Sequence, residues 1–135
     1  MINFTTTVSY GLRLLINLAN NHKAPKQLKK IALEEGIPLS YLRKLVRPLE
    51  KVGMVRSLKG PGGGFMLARR ASNIPLLEII STLSHSKVIG CLKKPDSCER
   101  YTNCVVKDLL GDVYAKIEAV FKNKTLETIL RRRPA

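Results

Sequence analysis

The chain has 135 residues, 44% of them hydrophobic, which is enough for one packed domain and argues against wholesale disorder. Its formal net charge is +14 and unevenly spread: residues 1–70 carry 13 Lys and Arg against 3 acids, residues 71–135 carry 11 against 7. That excess points to a polyanionic partner, whereas no apolar run approaches the ~20 residues of a membrane span, and no cleavage site follows the apolar stretch at 12–19, so the chain reads as cytoplasmic.

Val8, Leu12, Leu15 and Ala19 recur at spacings of 4, 3 and 4 and predict a first helix over about 7–21. Asn20-Asn21-His22-Lys23 and Pro25 break it. Leu28, Ile31 and Ala32 predict a short second helix that Gly36 ends. Ile37-Pro38-Leu39 is then a turn, with Pro38 suited to the first position of a third helix because its missing N–H matters least there. Leu42, Leu45, Val46 and Leu49 of this helix face inward, which leaves Ser40, Tyr41, Arg43, Lys44 and Arg47 facing out. Pro48 bends or tightens its last turn, and Gly53 closes it. Short helix, turn, second helix with a basic polar face is the helix-turn-helix pattern.

Residues 54–58 and 65–68 read as two strands around Lys59-Gly60-Pro61-Gly62-Gly63-Gly64, a loop so rich in glycine that it reads as a hairpin tip, hence a wing. Ile74-Pro75 opens a fourth helix with Leu76, Leu77, Ile79, Ile80 and Leu83 on the core. A polar loop over 84–103 leads to a long last helix starting near Cys104. Its Val106, Leu110, Val113, Ile117 and Val120 form a near-heptad seam that suits a second copy of the chain or its own domain. Arg131-Arg132-Arg133 is a solvated basic tail.

The architecture expected is mainly α with a small β-hairpin wing. It divides into a winged helix-turn-helix DNA-binding domain (1–83), a cysteine-bearing loop (84–104), and a dimerisation helix with its basic tail (105–135). In such a domain the third helix enters the major groove of duplex DNA, with Ser40, Tyr41, Arg43, Lys44 and Arg47 as candidate contacts. Lys59 suits a minor groove, and Gly60, Pro61, Gly62 and Gly63 let the backbone come close to it with amides able to donate. The start of the second helix, near Lys26-Gln27-Leu28, offers amides and a positive dipole end to a phosphate. The loop lacks the Lys-Ser/Thr ending of a nucleotide-binding loop and joins two strands, so nucleotide binding does not fit. No catalytic set can be placed, and the chain is not read as an enzyme.

Cys91, Cys98 and Cys104 lie within fourteen residues and are the chain's only cysteines. An odd count cannot close as intrachain disulfides, whereas three thiolates and one further ligand suit a soft metal or a cluster. Zinc, or thiols that sense oxidants directly, are the alternatives on residues alone. His85, six residues before Cys91, is a weak further donor, and His22 sits in a loop.

These residues together resemble the Rrf-two family of iron–sulfur winged helix-turn-helix regulators. The resemblance is carried by Tyr10-Gly11-Leu12-Arg13, Ile31-Ala32, Gly36-Ile37, Ser40-Tyr41-Leu42, Leu49, Gly53-Met54-Val55, Gly60 to Phe65, the cysteine trio, and Thr125-Leu126 closing the last helix. It implies a homodimeric transcriptional repressor that reads a palindromic operator. It also implies an iron–sulfur cluster on Cys91, Cys98 and Cys104, 2Fe–2S ahead of 4Fe–4S, whose state sets DNA affinity. A regulator of this family without a cluster, sensing through thiols or a protein partner, is the alternative. The fourth ligand is where the chain departs from the pattern. IscR-like members place a His three residues after the last cysteine, where Lys107 stands, and NsrR-like members use a carboxylate of the partner's first helix, where Ser9 stands. Asp108 is a local carboxylate one turn beyond Cys104.

Overall fold

The computed structural model describes residues 5–84 and 95–132. Cys91, His85 and Arg133 lie outside the described residues. Helix α1 (Thr6–Asn20) is the central element, lying against α2 (Leu28–Glu35), α3 (Leu39–Lys51), α4 (Leu76–Leu83) and the second strand of the hairpin. Thr5 caps its start by accepting from the Val8 N–H, satisfying one of the amides a helix leaves unpaired. Its buried residues are Val8, Gly11, Leu14, Leu15, Asn17 and Leu18. The face expected from Val8, Leu12, Leu15 and Ala19 is therefore rotated: Leu12 and Ala19 are only half-buried. A helix packed on several neighbours buries a broad stripe, and a single 4-3-4 row cannot locate its centre.

Helix α3 behaves as its spacing predicts, with Leu42, Leu45, Val46 and Leu49 all buried. It begins one residue later than expected, with Pro38 as the residue preceding its first turn, and it continues past Pro48 to Lys51. Strands β1 (Val55–Leu58) and β2 (Gly64–Leu67) pair antiparallel, Val55 opposite Leu67 and Leu58 opposite Gly64. Lys26 extends this sheet by a bridge to Phe65, with each N–H donating to the other's carbonyl at 2.9 and 2.8 Å. The wing is thus sewn to the loop between α1 and α2.

Helix α4 carries Leu76, Ile79, Ile80 and Leu83 into the core. The long helix α5 (Val105–Phe121) follows the cysteine segment and has no buried residue. The C-terminal region departs from expectation. Instead of one helix closing at Thr125-Leu126, α5 stops at Phe121, Asn123 turns the chain with φ 63°, and a short helix α6 (Leu126–Leu130) begins after a Thr125–Thr128 capping box. Leu126 is fully buried in the same core as α1 and α4, a burial that contributes about 2 kcal/mol or more. The Leu126 N–H donates to Ile74 and the Leu76 N–H to Lys124, both at 2.9 Å. Helix α6 is therefore part of the winged domain's core, whereas α5 contributes no buried residue to it.

Candidate nucleic-acid interface

Burial of Leu42, Leu45, Val46 and Leu49 turns Ser40, Arg43, Lys44 and Arg47 to solvent, and all four are exposed. Tyr41 differs. It is half-buried, its hydroxyl is 2.7 Å from Thr7 Oγ1, and its ring meets Tyr10 edge-on at 5.2 Å. An aromatic residue at the edge of an apolar stripe has a body to bury and a hydroxyl that needs a partner, and both needs are met by α1. Tyr41 joins α3 to α1 where the spacing alone had it facing outward.

The wing tip owes its shape to Pro61-Gly62. The Gly63 N–H donates to the Gly60 carbonyl at 2.9 Å, with Pro61 second and Gly62 third at φ 74°, the pattern of a type II turn. The Gly63 amide is therefore used inside the turn and is not a donor to a ligand. Lys59, Gly60, Pro61 and Gly62 are exposed. Between the wing, the start of α3 and the start of α2 runs an open groove of about 380 Å³ lined by Gln27, Lys29, Arg43, Leu58, Gly60 and Gly63. It brings together three of the sequence-predicted contact residues and adds Lys29, which the sequence reading passed over. The signal was present as the Lys29-Lys30 doublet just inside α2.

Other cations are held by the protein itself. Lys26 bonds Asn17 Oδ1 at 2.8 Å and pairs with Glu34, while Asn17 donates to Glu34 and Glu35 at 3.0 and 2.8 Å. Arg13 bonds Glu35 at 3.2 Å. Asn17 is the buried polar residue of this network, and it is fully partnered, as a buried amide must be. The Lys26 ammonium, and then the Asn17 amide, hold the Glu34 carboxyl below the ordinary carboxylate range. The Lys26 N–H bonds Phe65 and its ammonium bonds Glu34, so this residue fixes the start of α2 and is not a phosphate donor. Arg69 is likewise engaged, with Glu78, whose carboxyl its guanidinium holds low.

Of the cysteines, Cys98 is exposed and Cys104 is half-exposed at the residue preceding α5. A 3-10 turn at Tyr101–Asn103 lies between them, and the Tyr101 N–H donates to the Cys98 carbonyl at 3.1 Å. Accessible thiols near one helix end suit thiolate ligation of a soft metal in their chemistry. Among the described residues no three His, Cys, Asp or Glu side chains converge on one point. Lys107 has only 16% of its side chain exposed, with its ammonium 4.1 Å from the Tyr101 ring centre and 3.4 Å from Asp108 Oδ1. The Lys107 ammonium has no lone pair to offer a metal, and the exposed Asp108 carboxylate is its ion-pair partner. Ser9 is exposed on α1.

Among the described residues no helix is long and apolar enough to cross a membrane. The family model described as "Iron-dependent Transcriptional regulator" matches residues 4–132. Protein rrf2 of Nitratidesulfovibrio vulgaris is 30% identical over 132 residues, covering 96% of this chain and 88% of that protein. Of solved structures, T. potens IscR superposes with a TM-score of 0.76 at 30% identity, covering 96% of this chain and 86% of the other. CymR, the global cysteine regulator of B. subtilis, superposes with a TM-score of 0.75 at 28% identity, covering 99% and 100%. The winged helical architecture and the resemblance read from the sequence are both borne out, and the chain belongs to the Rrf2 (Rrf-two) family of transcriptional regulators.

Proposed function

We propose that this regulator binds duplex DNA as a homodimer, with α3 in the major groove and the wing along the adjoining minor groove, and that its cysteine segment sets the affinity. The observation that carries the reading is the groove flanked by the start of α3, the start of α2 and the glycine turn. Ser40, Arg43, Lys44 and Arg47 are the contacts from α3. Lys59, with Gly60, Pro61, Gly62 and Gly63, supplies the wing, and Tyr41 sets the standoff of α3 from α1. Dimerisation through α5 fits its seam, because Val106, Val113 and Val120 are 58%, 44% and 58% exposed, a row of apolar side chains that water disfavours. Two copies related by a twofold axis read a palindromic operator.

Cys91, Cys98 and Cys104 would hold an iron–sulfur cluster, which supplies one-electron redox chemistry and reactivity toward small oxidants when bound. A signal at this segment shifts DNA affinity only through a difference in its interaction with the binding and non-binding arrangements of the dimer. A second reading is supported by the pairing of Lys107 with Tyr101 and Asp108 and by the likeness to the cysteine regulator CymR. In it the thiols act directly, without a cluster.

Anaerobic purification distinguishes the two. The expected result is iron and acid-labile sulfide with visible absorption, both lost in Cys98→Ala, and a changed duplex affinity once the cluster is removed. A preparation with neither element, whose affinity responds only to thiol oxidation, would replace the cluster with the thiol reading.

A further inference from the structure

Arg69 is one of the thirteen cations of the basic half, yet it is withheld from any polyanion. A guanidinium has five N–H groups, and here each has an acceptor. Nε donates to the Gly53 carbonyl at 3.2 Å. Nη1 donates to the Asn73 carbonyl at 3.4 Å and to Glu78 Oε2 at 3.1 Å. Nη2 donates to the Val52 carbonyl at 3.2 Å and to Glu78 Oε1 at 2.7 Å. The position of these acceptors matters more than their number. Val52 and Gly53 join the end of α3 to β1, and Arg69 lies two residues beyond the end of β2. One side chain therefore grips both roots of the hairpin and fastens them to Glu78 in the first turn of α4.

The base of the wing is anchored by buried Met54 and Val55 and by Phe65 and Leu67 packed on the core, whereas Arg56, Ser57 and Leu58 are exposed toward the tip. Polar anchors there are the Lys26–Phe65 bridge and a Ser57–Glu50 bond of 2.9 Å, and the Arg69 side chain adds the link to α4. Helix α4 also reaches toward the parts of the chain beyond the winged helices. Its far end leads into the cysteine segment, and its near end is bonded to the chain that follows α5 through Leu76–Lys124 and Ile74–Leu126. A displacement of α4, from the cysteines or from the dimer helix, carries Glu78 with it, and the bidentate pair is stiff in distance and in plane.

We propose that the Arg69–Glu78 bracket is the positioning device that sets the wing against α3 and conveys movement of α4 to the wing. This rests on the DNA-binding reading above. Glu78→Gln tests it by removing the charge while leaving Arg69's three carbonyl bonds. Arg69→Lys tests it by keeping the charge with three donors in place of five. Amide hydrogen exchange on the full chain is read over residues 55–67 and over α1, alongside affinity for a duplex recovered by selection from a random-sequence pool.

In both variants wing exchange is expected to rise about tenfold with α1 unchanged, since local openings are governed by local anchors. Duplex affinity is expected to fall about tenfold, within the usual range of coupling between sites. Wild-type exchange in the wing, wild-type affinity, or equal loss of protection in α1 would each overturn the bracket. If the wild-type chain itself selects no duplex, the DNA-binding reading fails and takes the inference with it. A binding wild type with an unaltered Glu78→Gln variant removes the bracket alone.

Discussion

Gly64 stands where the wing meets the loop after α1, and two constraints converge on it. Its φ is 149°, and a Cβ there would lie 2.5 Å from the carbonyl carbon and oxygen of Lys26, which the paired bonds to Phe65 hold in place. Gly62 needs only its positive φ, since a Cβ there meets nothing within 4 Å. Gly64→Ala is therefore expected to cost about 2–4 kcal/mol, and Gly62→Ala about 1 kcal/mol. Urea unfolding measures both, and equal midpoints would contradict the assignment of Gly64 to a backbone contact. The sequence marked this loop as a hairpin tip, and Pro61-Gly62 is a turn signature anyone can read. It could not separate the glycine that makes the turn from the glycine that admits Lys26, because the second role depends on a segment nearly forty residues earlier. Arg69 was hidden in the same way. Counted by charge it belonged with the DNA-facing cations, and only the fold brings Val52, Gly53 and Glu78 around it. Tyr41 was assigned to the right helix and the wrong environment, since a helical period locates a face but not the partner of a hydroxyl on its border.

Helix α5 shows what an element's pattern can and cannot say. The 4-3-4-3 spacing marked Val106, Leu110, Val113, Ile117 and Val120 as one stripe and left open what covers it. In the folded chain α5 has no buried residue, and among the described residues it lies against α4. A charge in the middle of a self-packed seam is costly, because a carboxylate there loses its water without gaining a partner. Val113→Glu is expected to shift the protein from a dimer, about twice the 15.1 kDa chain mass, to a monomer in light scattering, with the helical signal of the winged domain retained. A dimer that survives Val113→Glu would contradict association through this seam. The remaining helices and both strands were legible to within a residue or two, because Gly36, Gly53, Pro38 and Pro75 punctuate them locally. The break after Phe121 was not. Asn123 turns the chain, and Thr125 and Thr128 cap each other, a weaker sign than the usual pairing of a hydroxyl with a Glu or Gln. The burial of Leu126 among residues from the first half is invisible to any local pattern.

At the scale of the molecule, the +14 charge divides into cations that hold the fold and cations that face outward. Arg13, Lys26 and Arg69 are paired with Glu35, Glu34 and Glu78 and brace the α1, α2 and wing junctions. Arg43, Lys44, Arg47 and Lys59 remain exposed, with Arg43 lining the groove. Composition announced the polyanion, but only the fold selects which cations are available to it and which set the spacing of the others. The dependence of duplex affinity on salt concentration reads that division directly, since each neutralised phosphate adds about 0.9 to the slope of log affinity against log salt. For a dimer, removing Arg43 or Lys59 by alanine substitution is expected to lower the slope by about 2, one contact per subunit, at little cost in stability. A slope near zero in the wild-type protein, or one that neither substitution changes, would contradict the placement of α3 and the wing on DNA.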